Sequence, residues 1–174
     1  MILDKIIKAT ENVSDNYFLL PVAYRITPIR RKRVYCYELY HQLRKLIEDS
    51  QLTLSAEPDK RGHTDFEVKY PNPDFILHTP GVHENNNTVI EVECRLQYKH
   101  LLKDFENLKI MKQLGYQNLV LLLFSVNEVP WERLKRASIA AEIDLGEISI
   151  LLHRSAGQAA TYECLPDTLS THVV

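Results

Sequence analysis

The sequence contains little glycine and few cysteines, and these shortages exclude several classes of function. Its 174 residues include only 5 glycines, so no Gly-rich loop could cradle the phosphates of a nucleotide. No serine stands in a G-x-S-x-G nucleophile elbow, and the 7 histidines show no zinc-ligand spacing. The 3 cysteines, Cys36, Cys94 and Cys164, are widely separated, which indicates neither a disulfide framework nor a zinc site and favours a reducing cytoplasm.

Long apolar runs and an excess of charge are also missing. No apolar stretch approaches the roughly 20 residues that span a bilayer, and charges at Asp4 and Lys5 interrupt the first residues too early for a signal peptide. We therefore expect no membrane association. The formal net charge of -2 and the isoelectric point of about 6.4 provide no general positive field, so nucleic acid would have to be bound through local basic patches.

Hydrophobic periodicity predicts an α/β fold. Apolar residues at spacings of three and four predict helices over 34–48, 99–114 and 130–142, and a helical pattern at the N-terminus. Other apolar patterns predict strands over 51–56, 75–77, 89–92, 118–125 and 147–153, and short ones at 18–23 and around Tyr162. This order implies a mixed β-sheet flanked by helices. We expect a single domain over 1–174, with a core at 34–154, an N-terminal extension 1–33 and a C-terminal tail 159–174.

Three carboxylates stand where strand geometry could bring them together. Asp74 begins one predicted strand, and Glu91 and Glu93 lie on one face of the next, because side chains alternate along a strand. Carboxylate oxygens are the ligands that Mg²⁺ or Mn²⁺ prefer. Like charges within about 4–6 Å raise one another's pKa, so a convergence of these three side chains favours a functional role over a structural one.

The same residues resemble the signature of the PD-(D/E)xK nuclease superfamily. Pro73-Asp74 matches the opening pair, and Glu91-Val92-Glu93 takes the place of the acidic-x-Lys triplet, with Glu93 where the family has lysine. That lysine helps to activate the attacking water or to stabilise the developing charge, and a few type II restriction enzymes carry Glu in its place and remain active. The resemblance implies a restriction-endonuclease-like αβββαβ core and a Mg²⁺- or Mn²⁺-dependent endonuclease in which Asp74, Glu91 and Glu93 are catalytic.

Further site residues follow from this resemblance. The string from Tyr37 to Arg44 is similar to the first helix of a bacterial subgroup in which a helix glutamate reaches the metal, which implies that Glu38 completes the ligand shell around Asp74 and Glu91. Glu57 would be an additional carboxylate, and Lys60 could supply the cation missing at Glu93. A plain turn built on Pro58 explains the same two residues.

Two basic segments are candidates for phosphate contacts. The first is the run Arg30, Arg31, Lys32 and Arg33, and the second comprises Arg95 and Lys99 beside the second long helix. Each phosphate that a basic side chain neutralises adds to salt-dependent affinity. Solvated surface is the alternative interpretation of both segments.

The sequence thus predicts a metal-dependent nuclease that hydrolyses phosphodiester bonds in DNA or RNA. The alternative is a catalytically inactive nuclease-fold module that binds nucleic acid or a protein partner, which the substitution at Glu93 and the acidic isoelectric point favour. The small size leaves no room for a separate recognition domain, which favours a homodimer or a partner subunit. A role in bacterial or phage defence is implied by the family resemblance alone.

Overall fold

A computed structural model describes residues 1–48, 50–58, 71–80 and 86–167. They form an α/β fold in which helices flank one mixed sheet of six strands. The helices are α1 (Ile2–Glu11), α2 (Asp15–Phe18), α3 (Lys32–Ile47), α4 (Tyr98–Gln113) and α5 (Trp131–Ala141). The strands are β1 (Thr53–Ala56), β2 (Phe75–His78), β3 (Asn86–Glu93), β4 (Asn118–Phe124), β5 (Ile148–His153) and β6 (Thr161–Glu163).

The strands lie in chain order across the sheet, and their directions decide where the candidate residues meet. Strands β1, β2 and β3 pair antiparallel, β3, β4 and β5 pair parallel, and β6 is antiparallel to β5. The helices α4 and α5 make the crossovers that parallel pairing requires. In the β2–β3 ladder Phe75 lies opposite Ile90, so the residue before β2 comes close to the carboxyl end of β3.

Apolar side chains fill both faces of the sheet. Alternate residues of β4 divide between two cores, with Leu122 in the one that packs against α1 and α3 and Leu121 in the one that packs against α4 and α5. Every residue of β4 after Asn118 is buried, which explains its continuous apolar sequence. Within the described ranges, no helix combines the length and apolarity needed to cross a membrane.

An aromatic cluster joins the N-terminal segment to the middle of the sheet. Tyr35 of α3 stacks on Phe124 of β4 with ring centroids 3.9 Å apart, and Phe18 of α2 makes edge contacts with both rings. The Tyr35 hydroxyl lies 2.8 Å from Nδ1 of the fully buried His153. Because Ile6 of α1 is also fully buried, the residues predicted as an extension contribute to the core.

The long predicted helices and strands are confirmed. Most of their ends lie one or two residues from the predicted positions. Helix α3 begins at Lys32 rather than at Val34. The predicted strand at 18–23 is wrong, because Phe18 ends α2 and Leu20 forms only an isolated bridge with Ile29. Pro21 has no backbone N–H to donate, and Tyr24 has a φ of 64°, so the backbone turns instead of extending.

Acid should weaken the fold through His153. Burial lowers the pKa of His153 from 6.5 to about 4, so between these values the unfolded chain binds a proton that the folded chain does not. We expect this residue to remove about 3 kcal/mol from the free energy of unfolding as the pH falls through that range. Urea unfolding of the wild type and His153→Gln at several pH values measures it. A stability difference between the two proteins that does not change with pH would contradict the assignment.

Candidate active site

A cleft of about 620 Å³ opens at the carboxyl end of β3. The start of α3, the turn before β2, the loop after β3 and the first half of α4 form its walls. Six of the ionisable residues that line it are Lys32, Glu57, Asp74, Glu93, His100 and Asp104. The antiparallel β2–β3 register brings the first of the predicted carboxylates, Asp74, to the end of the strand that carries Glu93.

Asp74 is held between neighbouring strands by its own backbone and side chain. Its Oδ2 accepts a hydrogen bond from the backbone N–H of Val92 at 2.7 Å, and its carbonyl accepts one from the N–H of Glu57 at 2.9 Å. Both bonds are to the main chain, so the position of this carboxylate is set by the sheet and does not depend on a mobile partner.

The second partner of Asp74 is Lys32, in the first turn of α3. The ammonium Nζ lies 2.8 Å from Asp74 Oδ2, and the lysine side chain is only 32% exposed. Burial by itself would lower the pKa of Lys32, but Asp74, Asp104 and Glu91 outweigh it and raise that pKa above its ordinary value. A cation in the first turn of a helix opposes the helix dipole, so the carboxylates, and not the helix, stabilise the charge there.

Glu93 and Glu91 share one face of β3, as predicted, but have different surroundings. Glu93 lines the cleft, and its Oε1 accepts hydrogen bonds from the N–H groups of Cys94 and Arg95 at 2.7 and 2.6 Å. Glu91 is only 1% exposed and lies beneath the cleft, where Oε1 accepts from Asn107 Nδ2 at 2.9 Å. Burial raises the pKa of Glu91 well above its usual range, with a further rise from nearby carboxylates, which favours its neutral form.

Asp104 is a site residue that the sequence analysis missed. It projects from α4 into the cleft and is 3% exposed, and its Oδ2 has no hydrogen-bond partner. Burial raises the pKa of Asp104 to about 8, opposed by Lys32 and supported by Asp74 and Glu93. His100, one turn earlier on α4, places Nδ1 3.7 Å from Glu93 Oε2.

Signals for the missed residues are present in the sequence. Asp104 lies three residues after Leu101 and four before Leu108, within the apolar stripe of α4. Lys32 lies four residues before the buried Cys36 in the same way. A charged residue on the inner face of a helix needs a partner or a function. Asp104 could therefore have been identified as a candidate, and Lys32, which was predicted only as a phosphate contact, as the partner of a buried carboxylate.

The remaining predicted residues divide between the cleft and elsewhere. Glu57 lines the cleft, where Oε1 lies 3.7 Å from Nε of Arg33. Glu38 is not among the lining residues, and its Oε1 instead accepts a hydrogen bond from Gln42 Nε2 at 2.6 Å. Lys60 lies outside the described residues. The structure therefore supplies a cation at this site from Lys32 and does not bring Glu38 to it.

The basic residues surround the cleft unequally. Those that line it are Arg31, Lys32, Arg33, Arg95 and Lys103. Lys99 is exposed on the first turn of α4 and is not a lining residue. Arg30 uses one terminal nitrogen to donate to the carbonyls of Cys94 and Ser125, both at 3.2 Å, and so joins the ends of β3 and β4.

The described part of the chain contains no group of three or more His, Cys, Asp or Glu side chains arranged to hold a metal ion.

Comparison of the sequence with known protein families and with curated proteins gives no match. Among the described residues of 32–124, the order of elements is α3-β1-β2-β3-α4-β4.

Removal of Lys32 should expose the repulsion among the carboxylates. We expect Lys32→Met to lower the free energy of unfolding by about 2 kcal/mol at pH 8, a value reduced from that of a fully buried pair because the side chain is partly exposed. The loss should shrink at pH 5, where Asp104, with a pKa of about 8, is protonated. Urea unfolding at both pH values measures it.

The matched control for this prediction is Lys109→Met. Lys109 pairs with Glu142, which is 81% exposed, so its removal should cost much less than the removal of Lys32 at either pH. Equal losses in the two variants would show that Lys32 has no special electrostatic role.

Proposed function

We propose that this chain is a nuclease of the PD-(D/E)xK type that hydrolyses phosphodiester bonds in nucleic acid. The observation that carries the proposal is the 2.8 Å contact between Lys32 Nζ and Asp74 Oδ2. It supplies, from helix α3, the positive charge that the motif lacks at Glu93. The order of elements over Lys32–Phe124 also supports the proposal, because it is the αβββαβ order that the resemblance implies.

The residues of the cleft suit the separate requirements of phosphodiester hydrolysis. The Lys32 ammonium would stabilise negative charge that develops on the phosphate, and preorganised charges of this kind make large contributions to catalysis. The Glu93 carboxylate would accept the proton of the attacking water. Its two backbone hydrogen bonds hold it in a fixed orientation for that role. The lining arginines would attract the phosphates on either side of the reacting one.

A divalent cation fits the donors of this cleft. Mg²⁺ in phosphate-processing sites is held by one or two carboxylates together with phosphate oxygens of the substrate, not by a complete cage of protein ligands. Asp74 and Asp104 would supply the carboxylates, and the partnerless Asp104 Oδ2 is the observation that supports this. When bound, the ion would polarise the scissile phosphate and acidify the attacking water. Glu91, which the sequence analysis assigned as a ligand, donates no oxygen to the cleft in this arrangement.

A catalytically inactive module that binds nucleic acid is the second candidate function. The position of Glu91 favours it, because this buried carboxylate contributes no oxygen to the cleft, and the site then lacks one of the metal ligands that the motif implies. The two functions predict the same ligand and differ only in cleavage.

Cys36, Cys94 and Cys164 are all free thiols, which supports a reducing cytoplasm for either function.

Cleavage should depend on the cleft residues. We expect the wild type with Mg²⁺ or Mn²⁺ to cleave at least one of single-stranded DNA, duplex DNA, single-stranded RNA and duplex RNA. Asp74→Asn and Lys32→Met should each lower the rate by about 100-fold or more, because they remove charge at the reacting phosphate. The matched control is Glu128→Gln, which changes an exposed loop residue. If the folded wild type cleaves none of the four substrates, the nuclease proposal is contradicted and the inactive module is the remaining candidate.

Metal binding is tested separately by calorimetric titration with Mg²⁺ and Mn²⁺. We expect binding that strengthens when a non-cleavable oligonucleotide analogue with intact non-bridging phosphate oxygens is present, because substrate oxygens complete the coordination. Asp74→Ala should abolish it, whereas Glu38→Gln should not, since Glu38 does not line the cleft. Equal loss in the two variants would contradict the arrangement proposed for the site.

A further inference from the structure

A second groove adjoins the cleft at the loop that follows β3. Its volume is about 630 Å³, and it is lined by Arg30, the segment from Cys94 to Tyr98, Val126 and Arg133. Cys94 and Arg95 line both this groove and the cleft, so the two depressions lie side by side at this part of the loop. We call it the arginine groove.

The charge of the arginine groove differs from that of the cleft. Among the residues that the structure describes, its lining includes three guanidinium groups, from Arg30, Arg95 and Arg133, and no carboxylate. The cleft instead mixes basic residues with Asp74, Glu93 and other acids. In a chain whose formal net charge is -2, this is a local concentration of positive charge of the kind that binds polyanions.

Two of the three guanidinium groups are held in place by backbone carbonyls. Arg133 donates one hydrogen bond to the carbonyl of Leu96 at 3.0 Å, and Arg30 donates to Cys94 and Ser125. Each arginine uses one terminal nitrogen for this purpose, and a guanidinium has five N–H donors. Among the described residues none of the three arginines forms an ion pair. Donors are therefore left for a ligand, and the anchoring reduces the entropy lost when it binds.

We propose that the arginine groove binds the sugar–phosphate strand adjacent to the phosphate held in the cleft. The guanidinium fork matches phosphate oxygens and suits a ligand with repeated single charges. Because Arg95 lines both depressions, a ligand in the groove would lie next to the cleft, which favours a polynucleotide over an acidic peptide. The assignment of the ligand rests on the proposed function, and it extends that function by naming where the substrate runs and by adding Arg133 as a binding residue.

The test measures binding without cleavage. Fluorescence anisotropy of labelled single-stranded and duplex oligonucleotides in EDTA should show that Arg133→Gln weakens binding by about five- to ten-fold. It should also reduce the slope of log affinity against log salt by about 0.7 for a single strand or 0.9 for a duplex. The arm with the higher affinity identifies the form of the strand. Glutamine keeps a donor for the Leu96 carbonyl, so the loop should remain in place.

Arg44→Gln is the matched control. Arg44 is an exposed residue of α3 and lies twelve residues after Lys32, about 18 Å along the helix axis. We expect the oligonucleotide affinity and the salt slope of Arg44→Gln to equal those of the wild type. Equal effects of Arg133→Gln and Arg44→Gln would overturn the assignment of the groove as a strand-binding site. Displacement of the oligonucleotide by poly-glutamate at the same charge concentration would overturn it as well.

The outcomes separate this inference from the proposed function. Binding that depends on Arg133, in a wild type that cleaves nothing, supports the groove and overturns catalysis. Cleavage that depends on Asp74 but is accompanied by unchanged binding in Arg133→Gln supports the nuclease and overturns the groove. Absence of oligonucleotide binding by the wild type overturns the groove, whatever the cleavage assay shows.

Discussion

The ion pair between Lys32 and Asp74 is the interaction on which the candidate site depends. It brings a cation into a cleft where Asp74, Glu93 and the buried Asp104 would otherwise repel one another. It also joins the first turn of α3 to the turn before β2, and the Val92 N–H links that turn to β3. The electrostatic balance of the cleft and the link between α3 and the turn before β2 therefore both involve this one contact.

Strand alternation and hydrophobic patterns were sufficient to predict the sheet and its main carboxylates. Asp74 and Glu93 line one cleft because β2 is antiparallel to β3 and Phe75 lies opposite Ile90. Alternation could not distinguish Glu91 from Glu93, since the two share a face. Their different exposure to the cleft depends on where α4 crosses that face, and Asn107 of α4 covers Glu91. That crossing is a tertiary property and has no signature in the strand.

The features of the site that escaped prediction involve helices. No side chain caps the start of α3, so the pattern gave no sharp signal for the boundary, and Lys32 was assigned to a loop before the helix. Asp104 was hidden by the apolar residues around it on α4. Glu38 was assigned by resemblance to a helix string, but its carboxylate accepts a bond from Gln42. Helix rotation decides these cases, and a single sequence constrains rotation only through its apolar stripe.

One turn of α3 serves both the core and the cleft. Lys32 reaches Asp74 from this turn, and Tyr35, three residues later, stacks on Phe124 and contacts His153 in the aromatic cluster. The packing of the aromatic rings therefore fixes the rotation of α3 about its axis, and with it the side from which the Lys32 ammonium enters the cleft. Repacking of the core at Tyr35 would rotate the lysine away from its carboxylate, so the chemistry of the site and the interior of the protein are not free to evolve separately.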